Sequence, residues 1–160
     1  MTLDELENYG MAELTDEEVE SFLSSHSLGV LGLPTENVPY LIPMSYGYEG
    51  GVNLYFFFVS GTESRKEALA TAGEQASFLV YSAETMFQWR SVLLEGSIRQ
   101  LSGDDRAELT EETSPKWRPE LFEQASESER TQVYEFDIEE WSGIKHTGLP
   151  PSLYRKADYE

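Results

Sequence analysis

Apolar residues change their spacing several times along this chain, and each change predicts an element. After Thr15 the spacing is helical, with Val19, Phe22 and Leu23 on one face. Thr15 is placed to cap that helix with Glu18 reaching back to it, and Leu14 can staple across to Val19. From Ser27 the period shortens: Leu28, Val30 and Leu33, interrupted by Gly29 and Gly32, predict a strand that ends in a turn over 34–37. A second strand is predicted over 38–48. The Gly50-Gly51 pair marks a hairpin, and the run 52–59 holds Phe56, Phe57 and Phe58 in succession, so both of its faces should be covered.

Past a polar junction at 60–64, residues 65–72 predict a short helix closed by Gly73, and 76–82 a fourth strand. Residues 88–101 alternate well enough for one long strand, in which Gly96 predicts a bulge or a close backbone approach. The acidic stretch 104–128 predicts helix interrupted at Pro115 and Pro119, and a last strand is expected over 132–138. Six strands in hairpin order with a few helices predict a mainly β fold, a small β-barrel with peripheral helices. Residues 1–14 read as a lead-in, 15–150 as the single domain and 151–160 as a tail.

A chain of 160 residues can bury a real core without staples. The absence of cysteine removes disulfides, thiolate metal sites and a cysteine nucleophile. Thirty acidic against eleven basic residues give a formal charge of −19, whose self-repulsion is costly in dilute buffer. Molar salt shortens the Debye length to about 3 Å and makes such a surface tolerable, so a very salty cell is expected. A disordered acidic tail is the alternative, but aromatic and β-branched residues are spread along most of the chain. No basic face remains for nucleic acid or an anionic membrane. The first 20 residues carry eight carboxylates and no Lys or Arg, the reverse of a signal peptide, and no apolar run reaches membrane-spanning length. A cytoplasmic protein is therefore expected.

Against this acidity, Arg65 and Lys66 are the first cations of the chain, and they follow Ser60, Thr62 and Ser64 where a strand should pass into a helix. Free backbone N–H groups and the positive end of the helix dipole favour an anion there, so the segment reads as a phosphate cradle. The alternative is simple pairing with Glu63 and Glu67. Pro43 cannot donate to a ladder, which puts its strand at an edge, a bulge or a rim. Met44, Ser45 and Tyr46 beside it could offer main-chain hydrogen bonds to a flat heteroaromatic ligand, unless this is an ordinary kinked edge. Gln88, Trp89, Arg90 and Ser91 open the long strand and could line a ring-binding pocket, or Trp89 could be core. Trp141 and the run 142–146 after the last strand pose the same question, with Lys145 and His146 reading as a basic surface spot. His26 and His146 have no partner at metal-ligand spacing, so no metal is expected. No nucleophile elbow, Walker loop or dinucleotide fingerprint occurs.

In this order, over roughly residues 15–101, these features resemble the pyridoxamine 5′-phosphate oxidase-like family of FMN-binding split barrels. The residues that carry the likeness are the glycine-punctuated first strand, Val38-Pro39-Tyr40-Leu41-Ile42-Pro43-Met44-Ser45-Tyr46, Tyr55-Phe56-Phe57, Ser64-Arg65-Lys66, Arg90-Ser91-Val92 and Glu95-Gly96. The resemblance implies that Ser64, Arg65 and Lys66 grip the FMN phosphate. It implies that Ile42, Pro43, Met44 and Ser45 lie along the isoalloxazine, with Phe56 and Phe57 near the ribityl chain and Ser91 supplying a polar contact. It further implies a homodimer with FMN between subunits, where Trp89 or Trp141 reaches the partner's site. The vitamin-making oxidases of the family end in an Arg-Leu-His element, whereas this chain reads Leu153-Tyr154-Arg155-Lys156-Ala157, so no substrate carries over. The implied function is a flavin-dependent oxidoreductase acting on an unidentified small molecule. The alternatives are a flavin carrier or redox sensor without turnover, and a relative that binds deazaflavin, or haem through His26 or His146.

Overall fold

The computed structural model describes residues 2–48, 50–59, 75–101 and 131–148. The helices expected over 65–72 and 104–128 lie outside the described residues, as do Ser64, Arg65 and Lys66.

Helix α2 (Asp16–Ser25) begins as its sequence dictates: the Thr15 side chain accepts from the Glu18 N–H, and Glu18 accepts from the Thr15 N–H at 3.2 Å. Its buried face is Val19, Phe22 and Leu23. Before it stand two elements that the pattern did not announce. They are a short helix, α1 (Leu3–Asn8), with its own Thr2–Glu5 capping box, and a three-residue strand, β1 (Met11–Glu13).

The remaining strands are β2 (Leu28–Leu33), β3 (Tyr40–Gly47), β4 (Asn53–Val59), β5 (Gln75–Thr85), β6 (Gln88–Gln100) and β7 (Thr131–Thr147). They lie in the order β1-β7-β4-β3-β2-β5-β6, and β6 pairs back onto β7, so β2 to β7 close a six-stranded barrel. All pairings are antiparallel. The order departs from simple hairpins at one junction, where β5 joins β2 instead of β4. The second edge of β4 is already taken by β7, from Asn53↔Asp137 to Val59↔Thr131.

Alternation decides which side chains fill the barrel. Ile42, Leu31, Phe78 and Leu94 stand in one cross-strand row, all buried. Phe56 packs on Phe78 (4.9 Å between ring centroids) and on Phe136 (6.1 Å). Such a dry aromatic interior is the main favourable contribution to folding.

β7 does not stop at Ile138. It runs to Thr147, because its second half pairs with β6 on one side and β1 on the other. Lys145 and His146 are therefore strand residues and not a basic surface spot: His146 is only 7% exposed, and Lys145 donates to Glu18 at 3.0 Å. The Trp141 indole N–H donates to Asp16 at 2.9 Å, so α2 is pinned to β7 through its first turn. The hydrogen bond from Lys145, followed by that from the Thr15 N–H, holds the Glu18 carboxyl below its usual range. Among the described residues, no helix is long and apolar enough to cross a membrane.

Candidate functional site

The barrel is not laddered evenly. β3 pairs with β2 from Tyr40 to Ser45, but with β4 only at Tyr46 and Gly47. Beyond that point β4 continues along β7 while residues 41–44 of β3 have no ladder partner on the β4 side among the described residues. The Tyr46 N–H donates to the Ser27 carbonyl at 2.9 Å. By strand alternation the main-chain polar groups of Leu41 and Pro43 then face the open edge. Pro43 thus spends its missing N–H where no ladder bond was available, which is why a proline fits inside this strand.

The outer surface beside that edge is apolar. Pro43, Val30, Leu79 and Leu93 form one row across β3, β2, β5 and β6. Ser45 pairs with Leu28 and Ser91 with Tyr81 at one border of that row, and Leu28 (60% exposed), Leu41 (65%) and Tyr81 (59%) extend the apolar area. On so acidic a protein a contiguous apolar face marks a surface that something covers.

The structure sorts the residues singled out by sequence. Pro43, Ser45, Ser91 and Trp89 share this outer face, since Val92 and Leu94 alternate with the last two and point inward. Ile42, Met44 and Phe56 point into the core. Phe57 pairs with Val133 through its backbone, and its side chain lies outside the described residues. Trp141 is on the opposite face, under α2. Ser64, Arg65 and Lys66 are not among the described residues, so their relation to the open edge is not part of this geometry.

A separate cleft of about 530 Å3 opens between α2, the β5–β6 hairpin and the end of β7. His26, Gln88, Trp89, Arg90 and His146 contribute to its lining. Both histidines are held by a main-chain carbonyl through Nδ1: His26 on Phe22 at 2.8 Å and His146 on Phe87 at 2.9 Å. A carbonyl only accepts, so each Nδ1 carries a proton; at His26 the Ser25 hydroxyl also lies 3.0 Å from Nδ1. Both residues border this cleft, although in the sequence His26 and His146 are remote and the strand that carries His146 looked finished. Among the described residues, no group of three or more His, Asp or Glu side chains could hold a metal ion.

Comparison with known proteins supplies the context. A family model described as pyridoxamine 5′-phosphate oxidase matches residues 15–145. No curated protein matches. Among solved structures, a FAD-binding protein from Mesorhizobium loti is 20% identical with a TM-score of 0.69, over 86% of this chain and 98% of that one. A FAD and haem binding protein from Mycobacterium smegmatis is 17% identical with a TM-score of 0.72, over 94% of this chain and 80% of the other. The flavocytochrome Anf3 from Azotobacter vinelandii is 23% identical with a TM-score of 0.63, over 88% of this chain and 73% of that chain. At these identities the likeness is one of fold.

Proposed function

Because the chain belongs to the pyridoxamine 5′-phosphate oxidase family, we propose that it is a flavoprotein that holds FMN against the open edge of β3 and the apolar face beside it. The observation that carries this reading is the interrupted β3–β4 ladder, which leaves main-chain groups of Leu41 and Pro43 for a ligand. The fit is chemical: unladdered carbonyl and N–H groups suit the polar rim of an isoalloxazine, the row Pro43, Val30, Leu79 and Leu93 suits its flat face, and the Ser45 and Ser91 hydroxyls can meet its heteroatoms. Ser64, Arg65 and Lys66 are proposed to hold the phosphate, as their charge and hydroxyls in an acidic chain favour. When bound, the flavin supplies hydride and electron transfer; the protein's share is to bind it, orient it and keep water away.

The apolar face is proposed to be covered by a second copy of the chain with the flavin between the two, as a homodimer in the cytoplasm of a salt-adapted cell. Light scattering in molar KCl would then give twice the chain mass. A monomer would remove the shared site.

The deciding experiment is an absorption spectrum of protein purified in molar KCl, with mass analysis of whatever acid releases. Two flavin bands and liberated FMN are expected. Liberated FAD would correct the cofactor, and a sharp haem band or no chromophore after adding FMN would overturn the proposal. Oxidation of reduced nicotinamide by the holoprotein is the outcome expected of an oxidoreductase, whereas a carrier or sensor would show almost none. Changing both Arg65 and Lys66 to Ala should release the flavin, and stoichiometric flavin retained in that variant would sink the phosphate assignment.

A further inference from the structure

Glycines in the barrel strands serve different purposes. A Cβ on Gly29, Gly96 or Gly143 would stand 2.7 Å or less from a neighbouring atom, so packing requires those three. Gly32 is different. Its Cβ would meet nothing closer than Leu41 Cδ2 at 3.5 Å, an ordinary contact, and its φ is not positive. A glycine weakens a strand, and among the described residues nothing requires one at this position. Its missing side chain forms the floor of a hollow of about 360 Å3 on the outer surface of the barrel, within the range of small-molecule sites.

Register brings the walls together. Leu41, Gly32, Ser77 and Glu95 are successive partners across β3, β2, β5 and β6, so their side chains share one face. Their flanking residues Leu31, Leu33, Ile42, Ala76, Phe78 and Leu94 are buried, which turns that face outward. Pro34 and Pro39 add a further wall at the two ends of the turn before β3, and their fixed φ keeps it stiff. Charge then selects the occupant. Glu95 lines the hollow and stands directly across from Glu140. Two carboxylates opposite each other on one face repel, and among the described residues neither has a side-chain hydrogen bond or ion pair to relieve it. The Gln75 amide, which also borders the hollow, donates to Glu139 at 3.1 Å. Among the described residues no Lys or Arg lines the hollow. An anion is therefore repelled and a cation favoured, while the walls of Leu41, Pro34 and Pro39 call for an apolar body. A bare metal ion is not the occupant, because among the described residues no group could hold one.

We propose that this hollow binds a compact organic cation, an ammonium group carried on an apolar body and free of phosphate or carboxylate. The body lies on Gly32 between Leu41, Pro34 and Pro39, and the ammonium meets Glu95. The hollow borders the row Pro43, Val30, Leu79 and Leu93, about 7 Å away along the strands, but the proposal does not rest on the flavin reading.

Benzylamine, which is protonated at neutral pH, is the probe, with benzyl alcohol as its neutral analogue and benzoate as its anionic one. Titrations followed by nuclear magnetic resonance use the full chain in molar KCl, which suppresses diffuse attraction to the acidic surface. They should give one benzylamine site per chain, weaker binding of benzyl alcohol and none of benzoate. Glu95 is exposed, so Glu95→Gln reads binding without disturbing the fold. It should weaken benzylamine about tenfold, as expected for one lost charge-assisted hydrogen bond, and leave benzyl alcohol nearly unchanged. Gly32→Val should fold at least as stably as the wild type, because valine suits a strand, and should abolish binding of both. Absence of saturable benzylamine binding, equal binding of benzoate, or full benzylamine affinity in Glu95→Gln or Gly32→Val would overturn the proposal. So would a Gly32→Val chain that unfolds more easily, since the glycine would then be structural. Loss of flavin or of a dimer in that variant would equally overturn it, since flavin or a second copy would then be the occupant. The benzylamine titrations need no bound flavin, so the hollow and the flavin face stand or fall separately.

Discussion

A Cβ on Gly96 would stand 1.9 Å from the Asp137 carbonyl oxygen and 2.9 Å from its carbon. Both atoms are backbone, so relief would require opening the barrel where Glu95 pairs with Glu140 and Gly96 with Ile138, leaving Glu139 as the extra residue of a bulge. Gly96→Ala is therefore expected to cost about 3 kcal/mol or more, measured by denaturant unfolding in molar KCl; a loss under about 1 kcal/mol would mean that the bulge relaxes easily. This site was legible in the sequence, because a lone glycine in a long alternating strand signals close approach or a bulge. Tyr46 makes a second testable case. Its hydroxyl donates to the Leu23 carbonyl at 2.7 Å and ties β3 to α2. Burial, with a smaller effect of Tyr48, holds its phenol well above the ordinary value, and Tyr48 moves the same way through burial and the Glu20 charge. Folding thus favours the neutral phenols, and their contribution is complete below the unfolded value of about 10 and lost as the pH rises beyond it. Tyr46→Phe should cost about 1–2 kcal/mol at neutral pH, because Leu23 loses its donor, and should flatten the decline in stability above pH ~10. Unfolding midpoints from neutral to alkaline pH check both effects.

Elements whose signal is local were readable, and those whose signal is a distant partner were not. Helix α2 has its whole start written in Thr15 to Glu18, and Thr15→Ala should lower stability by about 1 kcal/mol through loss of the cap; an unchanged unfolding midpoint would mean that the ties from Asp16 and Glu18 to β7 suffice. By contrast, Ser142-Gly143 looks like the end of a strand. In the structure Gly143 is mid-strand, and its missing side chain makes room for Leu14, whose Cδ1 would sit 2.7 Å from a Cβ there. A glycine that breaks a strand and one that admits a neighbour are the same letter. β1 is too short to show a period and exists because β7 offers an edge. The joining of β5 to β2 depends on β4 being occupied by β7, a contact between residues far apart in the chain. For the candidate site, Pro43 announced an irregular strand and alternation then placed Pro43, Ser45, Trp89 and Ser91 on one face, while Ile42, Met44 and Phe56 went to the core. Neighbouring positions in a motif take opposite faces of a strand, so a motif names a segment better than it names side chains.

At the scale of the whole molecule, charge decides the conditions under which the rest can be measured. With a formal charge of −19, most carboxylates have no cation to meet. Among the described residues, the ion pairs are Arg99–Glu135 at 3.1 Å and Lys145–Glu18 at 3.0 Å. Both are at least partly exposed, and such pairs contribute little. The electrostatic balance of the folded chain is therefore repulsive, and compacting it brings the carboxylates closer than they are in the unfolded chain. Screening relieves the folded state more than the unfolded one, so the unfolding temperature should rise from 0.1 M (roughly the ionic strength at which the Debye length is 10 Å) towards molar KCl. Each kcal/mol regained should add about 3 °C for a chain of this size. A rise that saturates at a few tenths molar would identify simple screening as the cause, since the Debye length has by then fallen below the spacing of most surface charges. A rise that continues through molar salt would show a second contribution, the strengthening of apolar burial by salt. A midpoint that is flat or falls with KCl would refute the repulsive balance argued here.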